Sequence, residues 1–270
     1  MTDLTSLTAA PVKRARRLHK RAFRRQDGMF LAEGPQAVRE ALASPGVVTE
    51  VLATADIARR FPEFLVAARE QRVTWHVASG AVMAHVCDTV TPQGVVALCR
   101  IPATTWADVI AQPLTLVVVM AAVRDPGNAG TVIRVADAAG ADAVVCTAAS
   151  VDPFNPKSVR SSAGSLFHLP VVVGPSAAEV VGDIKGAGLQ VVAADGVRGQ
   201  DLITLRAEGG LSAPTAWLFG NEAWGLPDDV AELADVAAAI PIYGRAESLN
   251  LATAAAVCLY ASAEAQRAAR

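Results

Sequence analysis

Six short apolar runs recur through the second half of the chain, at residues 114–119, 143–146, 169–173, 189–193, 216–219 and 237–240, separated by segments of helical length and composition. The first of them, LTLVVV, is a β-branched run of the kind buried on both faces of a parallel sheet. Alternation of such strands with helical segments predicts an α/β fold with a mostly parallel sheet and crossover helices. Ligands in sheets of this kind gather at the carboxyl ends of the strands. The turns beginning at Ala121, Ala194, Gly220 and Pro241 are therefore where chemistry is expected.

Upstream, residues 30–33 read as a short strand and 35–43 as a helix, and 47–53, 64–71, 73–77 and 94–99 alternate strand-like with helix-like character, which makes a smaller α/β unit. A looser stretch, 101–113, has prolines near both ends and marks the boundary. Two domains are expected, 1–105 and 106–270. The 270 residues are 52% hydrophobic and 19% charged, which excludes a disordered chain or a disulfide scaffold. The longest apolar stretch, 116–123, falls far short of the ~20 residues of a membrane-spanning helix. No apolar run follows the first basic cluster as a secretory signal would require, so a cytoplasmic protein without membrane association is expected. Cys87, Cys99, Cys146 and Cys258 stand singly in apolar contexts, and the four histidines are scattered, which predicts buried thiols and no metal site.

The net charge of −2 conceals an asymmetry. Lys13, Arg14, Arg16, Arg17, Lys20, Arg21, Arg24 and Arg25 hold 8 of the 24 basic residues, and beyond residue 25 the chain has 16 basic against 25 acidic residues. Such a cluster suits a polyanion. Taken alone it equally describes a solvated basic helix or a mobile tail.

The turn after the first strand of the larger domain reads RDPGNAG and lacks GxGxxG; no GxxxxGK[ST] and no GxSxG occurs anywhere. Three turns, this one among them, stand out. In residues 125–141, Pro126 and Gly127 make a turn, Asn128 is placed to cap the following helix, and Arg134 lies one helical turn after Gly130 on an otherwise apolar helix. In 218–227, a strand ends in Gly220, Asn221 and Glu222. In 240–260, a strand leads into a polar loop with Gly244 and Arg245, after which Ser248 and Asn250 open a long helix, Ser248 alone reading as an N-cap.

These three segments, NxGxxxR (Asn128, Gly130, Arg134), FGNExxGL (219–226) and PxxGxxxSLN (Pro241, Gly244, 248–250), resemble in order and spacing the three motifs of the SpoU (TrmH) family of SPOUT methyltransferases. Residues 156–171 and the N-terminal segments RRQDGMFLAEGPQAVREAL and TPQGVVALCR are similar to the family as well, so the resemblance covers nearly the whole chain. It implies a C-terminal domain with a deep trefoil knot, a homodimer, and S-adenosylmethionine as methyl donor to a ribose 2′-hydroxyl of RNA. The leading domain and basic arm look like those of members acting on ribosomal RNA, some of which confer antibiotic resistance. By match of motif, Ala194, Asp195, Phe219, Gly220, Asn221, Ile240, Ile242 and Leu249 hold the donor. Arg134 matches the residue proposed as base, although a guanidinium with a pKa above ~12 suits a phosphate or alkoxide better than a proton. Asn128, Glu222, Ser248 and Asn250 match the polar set that orients Arg134, the ribose or the loops, and Arg160 matches a basic position that contacts RNA. Tyr243 and the sequence Leu251-Ala252-Thr253 depart from the commonest pattern without removing a polar motif residue. A transfer RNA substrate is the nearest alternative. A knotted RNA-binding or assembly factor without catalysis is disfavoured by the intact motif residues, and a nucleotide-binding enzyme without RNA would leave the basic arm unexplained.

Overall fold

The computed structural model describes residues 2–269 and divides into two compact units, residues 1–103 with 154–167, and residues 104–153 with 168–270. The first unit holds a five-stranded sheet of β1 (Thr2–Leu4), β2 (Met29–Glu33), β3 (Val48–Ala53), β4 (Thr74–Ala78) and β5 (Val95–Arg100), in the order β1-β4-β3-β5-β2. β1, β4 and β3 run parallel, while β5 is antiparallel to both β3 and β2.

The basic segment is two helices, Ala10–Arg17 and Arg21–Asp27. Val12, Ala15 and Leu18 are buried in one apolar cluster with Val82, Met83 and Val86, which pins the first helix by one face. Lys13, Arg14, Arg16, Lys20, Arg21 and Arg25 remain exposed. Arg14 is held by two bonds to Glu50 (3.0 and 2.9 Å) and Arg17 by Asp27 (2.8 Å). Arg24 corrects the expectation of a uniform RNA-facing cluster. It is only 2% exposed, and Nη1 donates to the Leu18 and His19 carbonyls at 2.8 and 2.9 Å, so it closes the turn between the helices.

The sequence placed all of 106–270 in one domain, but the helix Pro156–Ser161 packs against β2. Phe154 and Phe167 flank the Phe30 ring at 5.0 and 5.9 Å, and Arg160 Nη1 donates to buried Glu33 at 3.0 Å. Glu33 also accepts from the Thr89 hydroxyl. Burial, and then the neighbouring Glu33 carboxylate, push the Cys87 thiol up to about 12. All four cysteines are buried free thiols.

The second unit is built on seven parallel strands: β6 (Leu116–Met120), β7 (Ala143–Cys146), β8 (Val171–Val173), β9 (Gln190–Ala194), β10 (Gln200–Asp201), β11 (Thr215–Phe219) and β12 (Val236–Ala239). Their order is β10-β12-β9-β11-β6-β7-β8. Val117, Val119, Val145, Val191 and Leu218 face a core with Val180, Val181 and Ile184 of the helix Ala177–Gly186. Helix Leu251–Ala268 packs against β6, β11 and the helix Pro126–Ala139, and Trp217 Nε1 donates to buried Ser262 Oγ at 2.9 Å. Cover on both faces explains the unbroken apolar runs. Among the described residues, no helix is long and apolar enough to cross a membrane, and no group of three or more His, Cys, Asp or Glu is placed to hold a metal ion.

Candidate active site

The four turns singled out from the sequence follow β6, β9, β11 and β12, and these are neighbours, β12-β9-β11-β6. Parallel strands put their carboxyl ends on one side, so four loops that are distant in sequence share one edge. β11 enters between β9 and β6, and its register ties Phe219 to Met120. That insertion brings the loop after β11 beside the loop after β6.

Glu222 joins those two loops. Its Oε1 accepts from the Asp125 backbone N–H and from Asn128 Nδ2, both at 3.1 Å, and its Oε2 accepts from the Arg124 backbone N–H at 3.2 Å. Partial burial pushes this carboxyl up, but bonds from its own backbone N–H, Asn128, Asp125 and Arg124 outweigh that and hold it below the usual value of 4.5. Asn128 Oδ1 in turn accepts from Asn250 Nδ2 at 3.0 Å, which attaches the loop after β12. Three motif segments are thus one hydrogen-bonded chain, Glu222 to Asn128 to Asn250.

The helix starts differ from the sequence reading. Asp125, not Asn128, caps the helix Pro126–Ala139, accepting from the Asn128 backbone N–H at 2.9 Å, because proline at the first helical position presets the backbone. An Asp-Pro pair is the signal that could have found it. Likewise Asn250, not Ser248, caps the long helix, its Oδ1 accepting from the Ala252 N–H at 2.9 Å. Ser248 is exposed and has no hydrogen bond among the described residues. Arg134 is the ninth helical residue, two turns from the start instead of one. Its side chain is exposed and makes no hydrogen bond or ion pair among the described residues.

The expected donor-binding residues fall into two groups. Phe219 and Asn221 are committed to the fold: the Phe219 ring is fully buried beside Trp217 at 6.1 Å and its carbonyl accepts from Ala121 N–H at 2.8 Å. Asn221 is buried, with Oδ1 accepting from Ala223 N–H at 2.8 Å. Asp195 shapes its own turn by accepting from the N–H groups of Val197 and Arg198 at 2.9 and 3.0 Å. Gly220 permits the closest approach, since a Cβ there would lie 2.3 Å from Gly225 C and Leu226 N. Ala194 and Ile240 are half-buried, while Ile242 and Leu249 are exposed at the same edge. Residues 242–249 form no backbone–backbone hydrogen bond among the described residues, so their N–H and C=O groups are open to a ligand. Apolar side chains beside unused backbone donors and acceptors fit an adenosine, whose faces are apolar and whose edge is polar. Arg160 belongs to the other unit, paired with Glu33.

Residues 115–260 match the SpoU rRNA Methylase family, and residues 10–97 match the MRM3-like substrate binding domain. The chain belongs to the SpoU rRNA methylase family. A Bacillus subtilis relative, 23S rRNA (guanosine(2553)-2′-O)-methyltransferase RlmP, is 36% identical over 96% of this chain and 98% of its own length. A Streptomyces viridochromogenes 23S rRNA (uridine(2479)-2′-O)-methyltransferase is 37% identical over 63% of this chain and 59% of that one. Among solved structures, an AdoMet-bound rRNA methyltransferase from Sinorhizobium meliloti aligns over 97% of both chains with a TM-score of 0.85 and 31% identity. The SpoU methyltransferase AviRb from Streptomyces viridochromogenes with AdoMet aligns over 96% of this chain and 100% of that one, with a TM-score of 0.83 and 30% identity.

Proposed function

We propose that this SpoU-family chain methylates a ribose 2′-hydroxyl of 23S ribosomal RNA with S-adenosylmethionine as donor. The observation that carries the reading is Arg134, exposed and without a hydrogen bond or ion pair among the described residues, on the helix whose start is bonded through Asn128 to Glu222 and Asn250. Ala194, Gly220, Ile240, Ile242 and Leu249 hold the donor, which when bound supplies an activated methyl group on a sulfonium. The rest falls to the protein's own groups. Glu222 and Asn128 fix the start of the helix that carries Arg134. The guanidinium of Arg134 positions a phosphate and stabilises negative charge developing on the 2′-oxygen. The hydroxyl proton passes to an RNA phosphate oxygen or to water. Alignment of the two reacting atoms is the larger part of the task.

The exposed cations Lys13, Arg14, Arg16, Lys20, Arg21 and Arg25 of the first unit supply salt-sensitive affinity for the phosphate backbone. Two further parts of the reading are a knot formed by the loops after β11 and β12, and a homodimer built on the exposed Val257 and Tyr260 of the last helix. Action on ribosomal RNA places the enzyme in the cytoplasm.

Incubation with labelled S-adenosylmethionine and separate unmodified ribosomal and transfer RNA pools, followed by mapping of 2′-O-methyl positions, tests the reading. A single site in 23S RNA, lost in Arg134→Ala while donor binding by calorimetry persists, is the expected result. Methylation of transfer RNA alone, or no transfer to either pool despite donor binding, would overturn it.

A further inference from the structure

Four of the seven described Lys and Arg residues of the second unit are committed. Lys185 pairs with Asp235, Arg198 with Asp228 and Arg206 with Glu264, and Arg267 donates to the Ala263 and Ala139 carbonyls. Arg124, Arg134 and Arg245 differ: all three are exposed, and their guanidinium groups make no hydrogen bond or ion pair among the described residues. Arg124 follows β6 and Arg245 is in the loop after β12, both at the strand ends, and Arg134 is on the helix that starts there, two turns in.

A large aromatic side chain stands in the same place. Trp224 is 74% exposed, whereas Trp75, Trp106 and Trp217 are 6%, 7% and 0% exposed. Its loop is held. Asn221 N–H donates to the Gly225 carbonyl at 2.7 Å, Gly225 N–H donates back at 3.0 Å, and Gly225 takes a φ of +73° to close the turn. Glu222, two residues before Trp224, is bonded to the Arg124 and Asp125 N–H groups. An indole presented to solvent on a tied-down loop contributes little to folding and offers a flat face at low entropy cost. Beside three unpaired guanidinium groups, the ligand that suits both features is single-stranded nucleic acid, with phosphates for the cations and a base for the ring.

We propose that Trp224 is the stacking platform for a nucleobase of the RNA substrate, placed at the methylation site and independent of the phosphate-binding first unit. This rests on the RNA-methylation reading above and names the group that distinguishes the substrate's bases from its backbone. Trp224 then acts on substrate binding, while Arg134 acts on transfer.

Its position as the one exposed indole makes the test direct. Iodide should quench one class of tryptophan in the free protein, and that class should be missing from Trp224→Ala. Unmodified 23S RNA should quench or shield the same class, and S-adenosylhomocysteine alone should not. In methyl transfer, Trp224→Ala should raise the KM for RNA by about 10-fold or more, the range of one lost stacked base, with kcat within about twofold, and Trp224→Phe should recover most of the affinity. Melting temperature and donor affinity of both variants should match the parent. An indole shielded from iodide in the free protein, as burial against a second copy would produce, overturns the proposal, as does an unchanged KM in Trp224→Ala. If the parent protein transfers no methyl group, the methylation reading fails, and the response of Trp224 to 23S RNA still decides this one.

Discussion

Replacing Glu222 with glutamine changes one oxygen of the group that joins the loops after β6 and β11. The carboxylate accepts three bonds, at 3.1, 3.1 and 3.2 Å, two of them from backbone N–H groups. The amide oxygen introduced by E222Q would keep the Asp125 and Asn128 donors, leaving the amide NH2 facing the Arg124 N–H, donor against donor. A hydrogen bond to a charged group contributes about 1.5–3 kcal/mol, and the low end applies to a residue as exposed as this one. Adding the weakened charge assistance of the remaining two bonds gives a loss of about 2 kcal/mol, a fall of roughly 4–8 °C in Tm for a unit of this size. The pH dependence supplies the stricter test. Because the folded pKa lies below 4.5, the folded protein binds this proton less tightly than the unfolded chain does. The contribution is therefore complete above 4.5 and is lost as pH falls through the lowered folded value. Glutamine does not titrate. In urea unfolding followed by the buried Trp217, the stability gap between the parent and E222Q should be constant near neutrality and narrow below pH 4.5. A gap that persists unchanged at acid pH, or no gap at neutral pH, would refute the assignment of Glu222 as the charged link.

Asn250→Ala should lose about 1 kcal/mol of stability through its helix cap, whereas Asn250→Asp should keep the cap and the melting temperature but lose methyl transfer, because it removes the donor to Asn128; thermal melts and initial rates separate the two. Gly220→Ala should cost about 3 kcal/mol, since its Cβ would meet Gly225 and Leu226 at 2.3 Å, and calorimetry should show weakened donor binding. Arg24→Ala should destabilise the first unit by about 3 kcal/mol by leaving two carbonyls unpaired, while Arg25→Ala should leave the melt within about 0.5 kcal/mol and lower RNA affinity and its salt slope in filter binding.

The sheet of the second unit was legible because burial on both faces writes each strand as an apolar run; β7, at residues 143–146, stands where the sequence put it. β1 and β10 were not, for three and two residues at a sheet edge carry no period and, in Gln200–Asp201, no apolar residue. Helix starts were misplaced at Asn128 and Ser248 because several cap-competent residues crowd each turn, and only tertiary packing chooses among them. Arg24 could not be told from its neighbours by charge, since its burial follows from two carbonyls presented by the turn at Leu18 and His19. The excursion of Phe154–Phe167 into the first unit was equally hidden, because its partners Phe30 and Glu33 lie more than a hundred residues upstream.

The polar residues of the three motifs were found by spacing, yet their geometry assigns them work that spacing does not suggest. Asn128 uses both side-chain atoms, Nδ2 donating to Glu222 and Oδ1 accepting from Asn250, which leaves one N–H and one lone pair of its amide outside the network. Asn250 likewise donates to Asn128 and accepts from the Ala252 N–H. The one formal charge in the chain of bonds, Glu222, is directed at backbone N–H groups at the start of a helix, where the macrodipole favours an anion. The bonds of this network join the loops, and the exposed side chains of the same loops and helix include the cations Arg124, Arg134 and Arg245 and the indole of Trp224, with Ile242, Tyr243, Ser248 and Leu249. A site whose bonded carboxylate is turned toward backbone N–H groups, and whose exposed groups include guanidinium and aromatic side chains, is arranged to receive negative charge and flat rings. Its selectivity should accordingly reside in Trp224 and its rate in Arg134, two residues that the bonded network holds in place without touching either side chain.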